Sequence, residues 1–224
     1  MKLSPSLLKK ILLTLPLGSM FYMPNVLAET STFQFNNGPI HSYNGSNESV
    51  LLEGMNERIN SKKSNVFVAT VNHDLSRYDE DFFLCAADNS DSQNVMQSNS
   101  ITLTMGANGK IGKVITAYNF KNNITTKSNT LTIKGNDNGI IKLATAGFSE
   151  IGNVTDNTTI IENGSLNSAA AGVAYQGNAQ GNKITVKGGC ITGGISGVKI
   201  GIDDNHSYWG YGAYGGLVAY GDAI

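Results

Sequence analysis

At 224 residues the chain has room for one or two ordinary domains, yet only 15% of its residues are charged and 26 are glycine. Lysine and arginine total 16 against 17 acidic residues, and arginine occurs only at Arg58 and Arg77, so no basic stripe of the kind nucleic acid requires is present. Two cysteines, Cys85 and Cys190, exclude a disulfide framework.

The N-terminus has a charged start (Lys2, Lys9, Lys10), the apolar run "ILLTLPLGSMFYM" at 11–23, and a small-residue end at Val26-Leu27-Ala28. That order describes a secretory signal peptide over residues 1–28, cleaved after Ala28. Its apolar run is interrupted by Pro16 and is too short to span a bilayer. Cleavage removes three of the 16 basic residues and no acidic one, leaving 13 against 17 and a net charge of −4. All four prolines (Pro5, Pro16, Pro24, Pro39) precede residue 40. Every later residue keeps its backbone N–H, which suits an extended hydrogen-bonded sheet.

Residues 29–98 do not show the repeat described next and are expected to form an N-terminal segment and cap, with an irregular first coil within 40–98. Within them, "NVFVATV" (65–71) reads as a strand and "ESVLLEGMNERI" (48–59) as a short helical turn.

From residue 99 the chain repeats. Asn99, Asn129, Asn157 and Asn182 stand 30, 28 and 25 residues apart. Each precedes two positions of one face: Ile101 and Leu103, Leu131 and Ile133, Thr159 and Ile161, Ile184 and Val186. Between them Thr102, Thr132 and Thr185 occupy the other face, with Ile160 in the third copy. A second block follows, with Gly109, Gly139, Gly164 and Gly189, an apolar residue two positions on, and a small residue eight positions on (Ala117, Gly147, Gly172, Gly197). Two short strands cannot bury a core alone, whereas units stacked in register bury one continuous column. The pattern therefore predicts an all-β, right-handed parallel β-helix over 99–224, of about four coils, with an irregular N-terminal cap. The four Asn are expected to occupy a left-handed corner and to form a hydrogen-bonded ladder, and the glycines to mark turns.

This geometry keeps the cysteines apart. Cys190 aligns with Lys110, Ile140 and Ser165 and should point outward. Cys85 precedes the first coil, so three coil steps put the two about 14 Å apart, beyond disulfide reach. In "SYWGYGAYGGLVAY" (207–220), Tyr208, Trp209 and Tyr211 read first as part of an insertion that packs over the core. Their functional reading is an aromatic loop that touches glycan or protein. Further on, Gly216 and Gly221 match Gly172 and Gly177, so the chain is expected to stop in mid-coil at Ile224.

Runs such as "NTLTIKG…GIIKLATAG" and "GSLNSAAAGVAYQGNAQGNKITVKGG" resemble the secreted passengers of bacterial autotransporters, the type V secretion proteins. The resemblance covers the signal peptide and about residues 97–224. It implies a non-catalytic, adhesin-like β-helical stalk at the cell surface, acting on a host or bacterial surface glycan or protein. No series of amphipathic barrel strands follows, so association with the outer membrane would need a β-barrel that this chain does not carry, and the chain alone would reach the periplasm. Two alternatives stand beside this: a β-helical polysaccharide-processing enzyme or tailspike-like protein, and a truncated, non-functional remnant of a longer gene. An enzyme of that kind needs carboxylates gathered across neighbouring coils. The candidates Asp79, Glu80, Asp81, Asp203 and Asp204 lie in two separate stretches, and His41, His73 and His206 lack metal-ligand spacing. No catalytic residue, cofactor or metal is therefore expected.

Overall fold

The computed structural model describes residues 29–47, 64–76, 84–88, 95–120, 124–135, 138–192 and 212–220. Residues 1–28, expected as a signal peptide, and 48–59, expected as a helical turn, lie outside them. The described residues contain strands and no α-helix.

In chain order, β1 (Ser31–Phe35) and β2 (Ile40–Tyr43) come first. Triplets follow: β3 (Val66–Val71), β4 (Leu84–Asp88) and β5 (Val95–Gln97); then β6 (Ser100–Met105), β7 (Lys110–Asn119) and β8 (Thr125–Lys127). Next come β9 (Thr130–Gly135), β10 (Ile140–Ile151) and β11 (Val154–Thr155), then β12 (Thr158–Ile161), β13 (Ser165–Gln176) and β14 (Ala179–Gln180). The last strands are β15 (Lys183–Val186), β16 (Cys190–Ile191) and β17 (Gly212–Tyr220).

Each triplet contributes one strand to each of three sheets. The first sheet runs β15-β12-β9-β6-β3-β1-β2, the second β16-β13-β10-β7-β4 with β17 also on β13, and the third β14-β11-β8-β5. Pairing between triplets is parallel throughout. The β1–β2 hairpin pairs antiparallel on β3 and covers the edge of the first sheet.

Alternation along the first sheet decides what is inside. Ile101, Leu103, Leu131, Ile133 and Ile161 are fully buried, with Phe67 and Ala69 in the same rows one strand earlier. Burying each large apolar side chain contributes about 1.5–3 kcal/mol, so the column is the main cohesive element of the stack. Thr159 is the polar member of that column, and its hydroxyl donates to the Ala170 carbonyl at 2.7 Å. That bond removes the cost of burying it. The intervening Thr102, Thr132, Ile160 and Thr185 are half-exposed on the other face.

The register sharpens four expectations. The irregular first coil expected within 40–98 is a unit like the others: β3, β4 and β5 pair in register with β6, β7 and β8. The step from Asn65 to Asn99 is 34 residues, lengthened by the chain between β3 and β5. The cysteines therefore stand at opposite edges of the second sheet, four strand steps or about 19 Å apart. Neither forms a disulfide; Cys85 is buried and Cys190 exposed. The residue paired with Gly172 is Gly216, as the later match has it, and not Gly197, as the eight-residue spacing has it, because β13 meets β16 at Leu166 and β17 from Ser168 onward. Gly197 itself lies outside the described residues. Finally, Val186 is 49% exposed although its register places it with the inward row, since no further strand of the first sheet lies beyond β15 among the described residues.

Candidate functional site

Two features run along the stack. One is internal: the Asn column. The other is an outward aromatic strip at the end of the second sheet.

The Asn column begins each unit. Asn99, Asn129 and Asn157 are buried, and Asn182 is half-exposed. The Oδ1 of each accepts the backbone N–H of its predecessor, from Asn65 to Asn99, Asn99 to Asn129, Asn129 to Asn157 and Asn157 to Asn182, all at 3.0 Å. Side-chain Nδ2 groups donate along the same line, from Asn99 to Asn129 at 2.9 Å, Asn129 to Asn157 at 2.9 Å and Asn157 to Asn182 at 3.0 Å. The second Nδ2 hydrogen goes to a main-chain carbonyl, such as Met96 for Asn129 at 3.1 Å and Val154 for Asn182 at 2.8 Å. A carboxamide is the one short side chain that both donates and accepts in this arrangement. Chained amides polarise one another, which strengthens the row.

The left-handed corner falls on the residue before the Asn, contrary to the sequence expectation. Ser64, Ser98, Ser128, Asp156 and Gly181 have φ of 60°, 59°, 53°, 55° and 64°. The Asn is needed inward for its amide, so an exposed small or polar neighbour takes the turn.

The small-residue row has its reason here. A Cβ on Gly147 would sit 2.7 Å from Asn157 Nδ2, and one on Gly172 would sit 2.5 Å from Asn182 Cγ. These positions leave the space that the ladder fills. Of the turn glycines, Gly109 and Gly139 are buried, and a side chain on Gly109 would strike the Val71 carbonyl. Gly164 and Gly189 adopt φ of +124° and +87°.

The outward strip follows from alternation at the ends of the long strands. Asn119 and Ser149 are fully buried and bonded to each other at 2.7 Å, so their neighbours Tyr118, Phe120, Phe148 and Glu150 face the other way. Tyr118 lies opposite Phe148, which lies opposite Val173. Glu150 sits between the Ser149–Ala174 and Ile151–Gln176 pairs, level with Tyr175 on β13. The Tyr118 ring centroid is 5.2 Å from that of Phe148 and 5.8 Å from that of Phe120. Its hydroxyl donates to Glu150 Oε1 at 2.8 Å. Burial, and then the adjacent Glu150 carboxylate, hold this hydroxyl protonated far above the ordinary tyrosine range. Below the strip, Ile115, Leu143, Phe148, Ala170 and Val173 form a second apolar cluster, separate from the main core.

Sequence reasoning missed this strip, although carrying the glycine alignment to positions nine and eleven gives Tyr118, Phe148 and Val173, then Phe120, Glu150 and Tyr175. The aromatic residues singled out there, Tyr208, Trp209 and Tyr211, lie outside the described residues. So do Asp79, Glu80, Asp81, Asp203, Asp204 and His206. Among the described residues no group of three or more His, Cys, Asp or Glu is placed to hold a metal ion. The chain matches no known protein family, and neither curated proteins nor solved structures show significant similarity to it.

Proposed function

We propose that the chain is the passenger of an autotransporter: a right-handed parallel β-helix, exported through its N-terminal signal peptide, that acts at the cell surface by contact and not by catalysis. The observation that carries this reading is the run of successive units in one register, joined by the Asn column. Three sheets visited in rotation make each unit one turn of a rod about 4.8 Å thick. Such a rod repeats its outward residues, and repetition suits many weak contacts made at once. The outward face of the first sheet carries Ser100, Thr102, Thr130, Thr132, Thr158 and Thr185, with Lys134, Glu162 and Lys187 in a marginal row. Glu162 lies 3.7 Å from both lysines. Hydroxyls and paired charges of this kind suit a solvated contact face, and they bring no acid and base together over a substrate.

Attachment is the test. Beads coated with the exported chain are incubated with bacterial and epithelial cells, beside beads carrying the same chain held unfolded. The proposal expects folded-chain beads to attach severalfold more. Equal attachment of the two would remove the contact function.

A further inference from the structure

We propose that the outward strip formed by Tyr118, Phe120, Phe148, Glu150 and Tyr175 is a binding surface for a neutral saccharide. The inference deepens the contact reading and rests on it.

The strip spans three neighbouring strands, about 10 Å across, which accommodates one or two pyranose rings. Tyr118, Phe120, Glu150 and Tyr175 are half-exposed, while Phe148, beside Tyr118 in the same cross-strand row, is 1% exposed. The geometry therefore offers half-exposed rings alongside an apolar cluster that includes Phe148, Val173 and Leu143, against which Tyr118 packs. The apolar C–H faces of a pyranose, with their weakly positive hydrogens, complement the negative faces of such rings. Sugar hydroxyls in turn need a strong acceptor, and the Glu150 carboxylate supplies one at the same level as the rings. The Tyr118 hydroxyl bond to Oε1 fixes the orientation of that carboxylate before a ligand arrives, which lowers the ordering cost of binding.

Charge selects among saccharides. A uronic or sialic acid would bring a second carboxylate toward Glu150, and like charges in a partly desolvated site repel. A neutral hexose, or a short oligomer of neutral sugars, meets no such penalty. The spacing of rings also sets direction: Tyr118, Phe148 and Val173 lie in register across strands, so an oligosaccharide would run along the stack and not along a strand.

The experiment displays neutral and acidic oligosaccharides on an array and probes it with the exported chain and two variants. Phe120→Ala removes one ring at the end of β7, and Glu150→Gln removes the charge while keeping a partner for Tyr118. Circular dichroism melts of all three report whether the fold is retained. The proposal expects the unaltered chain to bind neutral and not acidic glycans, with affinity about tenfold weaker in either variant at an unchanged melting temperature. Absence of any array binding, a preference for acidic glycans, or folded variants that both bind as tightly as the unaltered chain would each overturn it. The bead assay keeps the two proposals apart. Beads that attach, but equally well with either variant and to enzymatically deglycosylated cells, would remove the saccharide site and leave surface contact standing on a protein partner. Beads that never attach remove the contact function itself.

Discussion

Replacing Asn129 by alanine in the middle of the column should be among the most damaging single changes the chain can suffer. The carboxamide takes part in four hydrogen bonds: from Asn99 N–H at 3.0 Å, from Asn99 Nδ2 at 2.9 Å, to Asn157 Oδ1 at 2.9 Å and to the Met96 carbonyl at 3.1 Å. Asn129 has 0% exposure, so water does not replace the lost partners without entering the core. At about 1 kcal/mol net for each bond the loss is about 4 kcal/mol. For a chain of this size that lowers the melting temperature by about 10 °C. The internal comparison is Asn182→Ala. That residue takes two bonds from Asn157 and gives one to Val154, but it is half-exposed, and solvent can substitute. Its loss should cost about 1–2 kcal/mol. Asn129→Asp should be worse than alanine at neutral pH, because a carboxylate has no hydrogen to give Asn157 Oδ1 or Met96 O and its charge is buried. Urea unfolding of the three variants, followed by circular dichroism, measures the order. If Asn129→Ala proves no more costly than Asn182→Ala, the ladder is not a buried, mutually dependent row, and the reasoning fails.

Further consequences can be checked with simpler measurements. Gly147→Ala drives a methyl group to 2.7 Å from Asn157 Nδ2 and should cost about 2–3 kcal/mol, whereas Gly164→Ala, whose methyl would meet Ile133 Cγ2 only at 3.9 Å, should cost about 1 kcal/mol from backbone strain alone. Thermal melts that place the two at equal cost would contradict the packing of the small-residue row against the ladder. The Tyr118 hydroxyl has its pKa raised by folding, so its contribution is complete below the ordinary value of 10.0 and is lost as pH rises above it. Ultraviolet titration, differenced against Tyr118→Phe, should then show Tyr118 ionising only well above its ordinary range, and Glu150→Gln should lower its pKa. With neither cysteine in a disulfide, one exposed and one buried, a thiol reagent should label Cys190 quickly and Cys85 only on unfolding, and a reductant should leave the melting temperature unchanged.

How much of this was legible in the sequence follows from what each residue does. The steps between Asn99, Asn129, Asn157 and Asn182 were visible because a column that bonds to itself admits no substitute, so the residue type recurs. The inward pairs and the Gly109 row were visible for the same reason, and the Cα pairing reproduces that alignment residue by residue. Asn65 escaped because a longer connection separates it from Asn99, and because Val66 and Val68 on its outward face hide the alternation that Thr makes plain. The left-handed corner was assigned to Asn on propensity, yet burial of the amide claimed that residue and Ser98, Ser128 and Asp156 took the turn. The aromatic strip lay beyond the short repeat phrase, at the far end of strands 10 to 12 residues long. There Val173 stands where Tyr118 and Phe148 do, so identity at the position is lost and only its outward, apolar character persists.

The claim on which everything else depends is that units about 25 to 30 residues apart lie side by side in parallel register. The most direct measurement is solution NMR on the isotope-labelled chain, recording amide and Hα contacts between strands. The account predicts contacts linking Thr102 with Thr132 and Thr132 with Ile160, in the evenly slanted pattern of parallel strands, together with side-chain amide contacts from Asn129 to Asn157. Close Hα–Hα contacts between β6 and β9, the mark of an antiparallel pair, or no contact at all between them, would contradict it.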